Sequence, residues 1–320
     1  MQKNLINRIA ILLPNKPFFG VMLVQIPLYQ HLRVNYPNAE IFAWSPVEEA
    51  LFFEDIQVLD KVNLVKNKKI QGLIEIRKWK PDILINMRPA SEFAHLITLC
   101  SNSSVKIGYE TKSLFKYFYT FLVTKSHGYI AFRYLNLLRP LKIPIKFNFD
   151  AIRKFEGNTS LPHKKSFICL IPVGGEGEHK RWGIENFCRM CQLISQYSPS
   201  LHYVFLLGRK ESGYVRIIDK MLGKNASTYI NANIYEIVKI VSNARVTISN
   251  DCGPGHLAQM CEVNYIGLWG WKEDESPFVR MKEWFFSRPN AISILPHEEQ
   301  KDIKTISPND VANIAIQFCR

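Results

Sequence analysis

Three stretches of the chain combine residue types suited to holding an anion, and each begins where an apolar run stops. The first is RVTISNDCGPGHLAQM, residues 245–260. Val246-Thr247-Ile248 gives way to Ser249-Asn250-Asp251, then to Cys252, Gly253, Pro254, Gly255 and His256, and an apolar periodic run resumes at Leu257. With a strand before it and a helix after it, this polar cluster lies at a strand carboxyl end and a helix N-terminus. Gly253 and Gly255 then allow backbone N–H groups to approach a ligand closely. Those unpaired N–H groups and the helix dipole favour a phosphate or diphosphate. Asp251 is placed to cap the helix or accept ligand hydroxyls, and His256 to donate to a phosphate or a leaving group. A glycine turn with Asp251 as N-cap and His256 on the surface accounts for the same residues.

The second stretch is IPVGGEGEHKRWGIENF, residues 171–187. Gly174 and Gly175 follow an apolar run, Lys180 and Arg181 are placed to neutralise a diphosphate, and Trp182 to pack beneath the loop. It matches neither the P-loop nor the dinucleotide glycine fingerprint, and a solvated charged turn is the plainer reading. The third is FLLGRKESG, residues 205–213. Glu211 is placed there to accept hydrogen bonds from a ribose, or simply to stabilise a helix N-terminus as an acid on the dipole.

These loops need strands and helices to hold them, and the chain supplies both. Its 320 residues are 47% hydrophobic and 22% charged, the composition of a soluble globular protein with room for two domains. No run is long enough to span a membrane, and the N-terminal MQKNLINRIAILLP reads as a first strand rather than a signal peptide. Seven cysteines fit no disulfide framework, and Cys188-x-x-Cys191 lies inside a helical pattern, which favours buried thiols over zinc and suits a reducing, cytoplasmic setting. The net charge of +13 implies either a simply basic surface or an anionic partner. Nucleic-acid motifs are absent, so phosphorylated small molecules or lipids come forward.

Strand-like and helix-like segments alternate from 8–14 to 106–109: strands at 8–14, 40–45, 82–87 and 106–109, helices at 21–36, 46–53, 72–80 and 91–100. Two aromatic-rich helical stretches then run to about Leu138. Residues 139–165, rich in Pro and Lys, read as an interdomain connection. A second alternation follows, with strands at 166–173, 202–208, 227–230, 245–249 and 264–270, and helices at 183–197, 211–222, 234–244, 256–263 and 307–318. This is α/β in class: two doubly wound, Rossmann-like domains, 1–150 and 151–320, forming a cleft between strand carboxyl ends where ligands bind. Around the aromatic stretches LFKYFYTFL and AFRYLNLL stand Lys106, Lys112, Lys116 and Arg133, and Arg88 ends the strand 82–87. Cations beside apolar aromatic faces suit a phosphorylated, lipid-linked acceptor at a membrane surface; aromatic core beneath a solvated lysine face is the alternative.

The order of these pieces resembles glycosyltransferase family 9, the lipopolysaccharide heptosyltransferases. The resemblance rests on Lys180-Arg181-Trp182 after the glycine loop, on Ser249-Asn250-Asp251-x-Gly253-x-x-His256, and on Tyr265-Ile266-Gly267-Leu268-Trp269-Gly270 beyond it. More loosely, Lys106-Ile107-Gly108-Tyr109 and the segment GVMLVQIPLYQHLR (20–33) match N-terminal elements of the family. The resemblance implies a GT-B fold, with the N-terminal domain holding an acceptor sugar of the lipopolysaccharide core or another surface glycan and the C-terminal domain a nucleotide-sugar, usually ADP-heptose. Transfer is then inverting, without cofactor or metal, the nucleotide-sugar being a substrate. It implies that Lys180 stabilises the leaving diphosphate and that Asp251, Cys252, Gly253 and His256 bind the donor together with Gly174 and Gly175. Glu211 becomes the ribose ligand, and Gly20, Arg88 and Lys106 fall on the acceptor side. The partners are a nucleotide-sugar and an anionic lipid-linked or oligosaccharide acceptor, not nucleic acid, at a cytoplasmic location compatible with peripheral contact on the inner membrane.

One position departs from the pattern. The family carries an Asp after the first glycine of its N-terminal element, as presumed general base, and here that position is Val21, which accepts no proton. Residues 1 to 39 contain no Asp or Glu. Either another group serves (Glu92, Glu176, Glu178, His31 or His256), or the chain is a silent relative that binds the nucleotide-sugar or glycan. A GT-B nucleotide-sugar epimerase is a third reading, which the Ser-Asn-Asp spacing fits less well.

Overall fold

The computed structural model describes residues 6–66, 68–147, 166–175 and 177–319. The chain divides into two compact units, Met1–Asn148 and Phe149–Arg320. Most of the Pro- and Lys-rich connection therefore lies outside the described residues.

The first unit contains strands β1 (Arg8–Leu12), β2 (Glu40–Ser45), β3 (Lys61–Leu64), β4 (Ile83–Asn86), β5 (Val105–Tyr109) and β6 (Phe121–Val123), in the spatial order β3-β2-β1-β4-β5-β6. The second contains β7 (Phe167–Ile171), β8 (His202–Leu207), β9 (Ala226–Ile230), β10 (Thr247–Asn250), β11 (Tyr265–Leu268) and β12 (Ala291–Ile294), in the order β12-β11-β10-β7-β8-β9. Every pairing is parallel. Each sheet thus starts in its middle and winds outward both ways, with a switch point between β1 and β4 in one unit and between β7 and β10 in the other. Ligands of open α/β sheets bind outside the strand carboxyl ends at such points. The central strands are buried along their length, as parallel strands covered on both faces by helices must be.

Four sequence expectations are corrected. The helix expected over 21–36 is two, Phe19–Leu23 and Ile26–Asn35, because Pro27 sits in the first turn of a new helix rather than inside an old one. The short helix expected over 46–53 is a 3₁₀ turn, Glu48–Leu51, running into Phe52–Asp55. The first aromatic stretch is no α-helix: Leu114–Phe118 forms a 3₁₀ turn and Phe121–Val123 an edge strand. The second, Ile130–Leu135, is helical and contributes Tyr134 and Leu135 to the core. The helix after β10 starts at Gly253, three residues before the expected 256.

The core of the second unit gathers β7, β8, β10 and β11 against the helix Ile184–Tyr197 and the C-terminal helix Pro308–Cys319. Trp182 and Phe187 are fully buried there, edge to face with ring centroids 4.9 Å apart, and the Trp182 indole N–H donates to the Ile306 carbonyl at 2.9 Å. Cys188 and Cys191 lie on the buried face of the same helix, and burial pushes the Cys188 thiol up to about 12. Truncating Phe187 to Ala removes a ring from the layer beneath the glycine loop. We expect Phe187→Ala to lower unfolding free energy by about 3–5 kcal/mol in urea denaturation, while Tyr197→Ala, at an exposed position of the same helix, stays within about 0.5 kcal/mol.

Candidate functional site

The switch point of the second unit is built by two loops that one side chain fastens together. Asn250, the last residue of β10, is fully buried. Its Nδ2 donates to the Pro172 carbonyl just beyond β7 at 2.8 Å, and its Oδ1 accepts the Trp182 backbone N–H at 3.4 Å. A single amide therefore satisfies both ends of the 172–182 loop across the strand reversal. Gly174 has no room for a side chain, since a Cβ would lie 2.7 Å from the Lys180 carbonyl. Gly177 has φ +108, a left-handed value that suits glycine. The loop then closes in the 3₁₀ turn Glu178–Lys180.

That turn delivers Lys180 to Asp251. The ammonium is 2.7 Å from Oδ2, and the carboxylate is only 7% exposed. Arg280, from the helix Pro277–Trp284, approaches the same oxygen with Nε at 3.9 Å. Its Nη2 donates to the Gly270 carbonyl, while Nε and Nη1 are buried without a hydrogen-bond partner among the described residues. His179 adds a buried Nε2 with no partner among the described residues, and burial lowers its pKa first, with Arg280 and Lys180 pushing the same way. Two full positive charges thus share one carboxylate, with N–H donors left over.

Asp251 does not cap the following helix. The N-cap is Cys252, with extended backbone and no side-chain bond, so the carboxylate is reserved for the cations. Gly255 is required by packing: a Cβ would lie 2.5 Å from Ser249 Oγ and 3.0 Å from the Tyr265 hydroxyl, which are themselves bonded at 2.7 Å. His256 is no surface residue; it is buried and tilted against Trp284, with ring centroids 5.2 Å apart. Gln259 Oε1 accepts the Phe286 N–H at 2.7 Å, which turns Gln259 Nε2 toward His256 Nδ1 at 3.2 Å. Nδ1 is then an acceptor and the ring proton sits on Nε2.

The other sequence candidates are scattered. Glu211 lies in the 3₁₀ turn Arg209–Glu211, ahead of the helix Tyr214–Leu222 rather than in its first turn, and is buried against Arg181 with Oε1 3.5 Å from Nη1. Glu178 is exposed and pairs with Arg181 and Lys304. Glu176 lies outside the described residues. Gly175 has open space around it. In the first unit, Gly20 is the second residue of its helix and Val21 is buried. His31 is buried and its Nε2 lies 2.6 Å from the Lys146 carbonyl. Arg88 stands just past β4, half-buried, its guanidinium unpaired among the described residues and its pKa lowered by burial. Glu92 opens the helix Glu92–Cys100 at the same strand end and accepts the Ser113 hydroxyl at 2.8 Å. Lys106 is not brought there: it is the second residue of β5, at the amino end, with its ammonium on the Leu99 carbonyl. Sequence reasoning missed Arg280, because PFVRMKEW reads as an ordinary charged helix and nothing in it points back to residue 251.

The model of glycosyltransferase family 9 (heptosyltransferase) matches residues 75–284, about two thirds of the chain. The chain belongs to glycosyltransferase family 9. The span includes Lys180, Asp251, His256 and Arg280 and leaves out Val21. Solved structures agree on the fold. Escherichia coli ADP-heptose lipopolysaccharide heptosyltransferase II is 17% identical, with TM-score 0.67 over 97% of this chain and 98% of that one. E. coli heptosyltransferase WaaC with ADP is 13% identical, with TM-score 0.71 over 97% and 99%. The UDP-GlcNAc 2-epimerase of Methanocaldococcus jannaschii shares the fold at TM-score 0.56 and 15% identity, over 97% and 99%. No curated protein gives a significant sequence match. The architecture is GT-B, and the chain is a family 9 glycosyltransferase.

Burial in this site has a measurable pH signature. It pushes the His256 pKa from 6.5 down to about 4, with Asp251 opposing the shift and Lys180 adding to it. The ring is neutral at pH 7, so the unfolded chain binds the extra proton as pH falls. The contribution is fully present above pH 6.5 and is lost as pH drops through about 4, a change of about 3 kcal/mol. We expect His256→Gln to flatten the stability profile measured by urea unfolding across this window; an identical slope in both proteins would remove His256 from the account.

Proposed function

We infer that the second unit binds a nucleotide-sugar, ADP-heptose being the donor to test first, and that the first unit binds a lipopolysaccharide core or other surface-glycan acceptor. The observation that carries this reading is the Lys180–Asp251–Arg280 cluster at the β7–β10 switch point. A leaving nucleoside diphosphate gains charge as the glycosidic bond breaks. Preformed cations and N–H donors stabilise that charge where it develops. Lys180 is the more accessible member, a quarter exposed and within reach of a phosphate beside Asp251. Arg280 brings donors that none of the described residues satisfies, and an anion there relieves the cost of burying them. His256 is neutral, so it acts as a hydrogen-bond donor to a phosphate or sugar hydroxyl rather than as a cation. The reaction is proposed as inverting and independent of metal and cofactor, with the protein acting on the cytoplasmic side.

The base is reassigned to the first unit. Val21 is apolar and buried, and His31 is already engaged with a backbone carbonyl. Glu178 is tied to two cations. Glu92 stands at the carboxyl end of β4, four residues after Arg88, and among the described residues accepts a hydrogen bond from the Ser113 hydroxyl. We therefore assign Glu92 to take the acceptor proton, with Arg88 facing the acceptor's anionic groups. Val21 also favours one other reading, a relative that binds donor and glycan without turnover.

The test is a transfer assay on the purified chain with ADP-heptose and a Kdo-containing lipid A acceptor, reading acceptor mass and released ADP. We expect an acceptor heavier by one heptose. Lys180→Ala should lower kcat by about 10²–10³-fold, and Glu92→Gln by about 10²–10⁴-fold with little change in donor binding. Tight donor binding with neither product nor ADP would establish the silent relative. Release of ADP or sugar rearrangement without acceptor would turn the reading toward an epimerase.

A further inference from the structure

The first unit holds an apolar surface that the transferase reading does not use. It runs from Ser113 to Lys125 along the β6 edge of the sheet. Leu114 is 80% exposed, Tyr117 76%, Phe118 49% and Phe121 42%. Single exposed hydrophobics are ordinary on any protein; four within eight residues of sequence are a patch. In a 3₁₀ turn residues three apart eclipse one another, so Leu114 and Tyr117 stand on one side of Leu114–Phe118, and no residue of that turn is buried.

The patch is held in place rather than loose. Ser113 Oγ accepts the Phe115 N–H and donates to Glu92. Phe115 packs back on His95, with ring centroids 6.4 Å apart. The Tyr119 hydroxyl enters a buried network, 2.7 Å from Asn86 Nδ2 and 2.7 Å from His95 Nδ1. Its ring lies over Gly108, where a Cβ would approach to 2.4 Å. Residues 113, 115 and 119 therefore anchor the segment inward while 114, 117, 118 and 121 are presented outward.

Charge around the patch has one sign. From Thr111 to Phe147 the chain has no Asp or Glu. Lys112 and Lys125 are exposed, and the Lys116 ammonium sits 5.0 Å from the Tyr117 ring centroid. The two nearest acids are occupied by hydroxyls, Glu92 by Ser113 and Glu110 by Thr124. Leucine and aromatic side chains ringed by lysines match the two layers of an anionic bilayer surface: acyl chains for the former, phosphate headgroups for the latter.

We propose that the Ser113–Lys125 segment docks the protein on the anionic face of a lipid bilayer, with Leu114, Tyr117, Phe118 and Phe121 entering the interface and Lys112, Lys116 and Lys125 on the headgroups. The contact needs neither donor nor catalysis, so it stands or falls separately from the transferase reading. The test is co-sedimentation of the full chain, without nucleotide-sugar, with vesicles of phosphatidylcholine alone or mixed with phosphatidylglycerol, at low and high salt. We expect binding to the mixed vesicles only, weakened by salt. Leu114→Ser/Tyr117→Ser/Phe118→Ser and, separately, Lys112→Gln/Lys116→Gln/Lys125→Gln should each weaken it by about tenfold or more, with thermal unfolding unchanged because the positions are at the surface. Variants that bind like the parent would overturn the proposal, the basic charge elsewhere then being the cause. So would a parent that ignores anionic vesicles, or a patch that instead joins two copies in sedimentation equilibrium and is silent toward lipid.

Discussion

Everything at the proposed donor site depends on one buried carboxylate. Asp251 sits at the carboxyl end of β10, nearly closed to solvent, with Lys180 and Arg280 converging on a single oxygen. Removing such a group from water is costly, and the attraction to its partners does little more than offset that cost. The pair is thus poor evidence of stability and better evidence of positioning. Without Asp251, two cations would face each other across a few ångströms; with it, they are parked where an incoming anion can take them over. Asn250 and Gly255 serve the same end, one by fastening the 172–182 loop to β10, the other by letting β10 and the next helix meet around Ser249 and Tyr265.

The two units share one topology, to which we assign two tasks. Each sheet winds outward from its first strand and leaves a crevice at the reversal. In the second unit the crevice is lined by loop glycines, a lysine and a helix N-terminus, the ingredients of anion binding. In the first it carries Arg88 and Glu92 beside β4, one cation and one acid with light local commitments. Such a site suits an acceptor that is itself anionic and must lose a proton. Val21 is a buried residue of the helix Phe19–Leu23 and belongs to the packing there. The base we propose, Glu92, stands on another element, the helix Glu92–Cys100.

Much of this was legible in the sequence, for reasons that can be named. Short apolar runs such as FICLI and HYVFLL, each closed by a glycine loop, fit buried parallel strands, and the loops after them mark the strand ends. Lys180 and Asp251 were identifiable because each follows such a run. Strands β3, β6 and β12 were not, being three- or four-residue strands at the sheet edges that no long buried run marks; β6 was further disguised by an aromatic run that mimics helical spacing. The break between Leu23 and Ile26 was hidden because Pro27 tolerates a first turn as well as it disrupts an interior one. Arg280 and Lys106 failed for a common reason. Sequence spacing does not tell which end of a strand, or which distant loop, a long cationic side chain will reach.

The central claim is that this switch point receives a diphosphate, and calorimetric titration tests it most directly. ADP and adenosine would be titrated into the wild-type chain and into Lys180→Ala. The account predicts that ADP binds at least about tenfold more tightly than adenosine and that the variant loses most of that difference, as expected for a hydrogen bond to a charged group. Equal affinities for ADP and adenosine, or a Lys180→Ala chain that binds ADP as the wild type does, would contradict it.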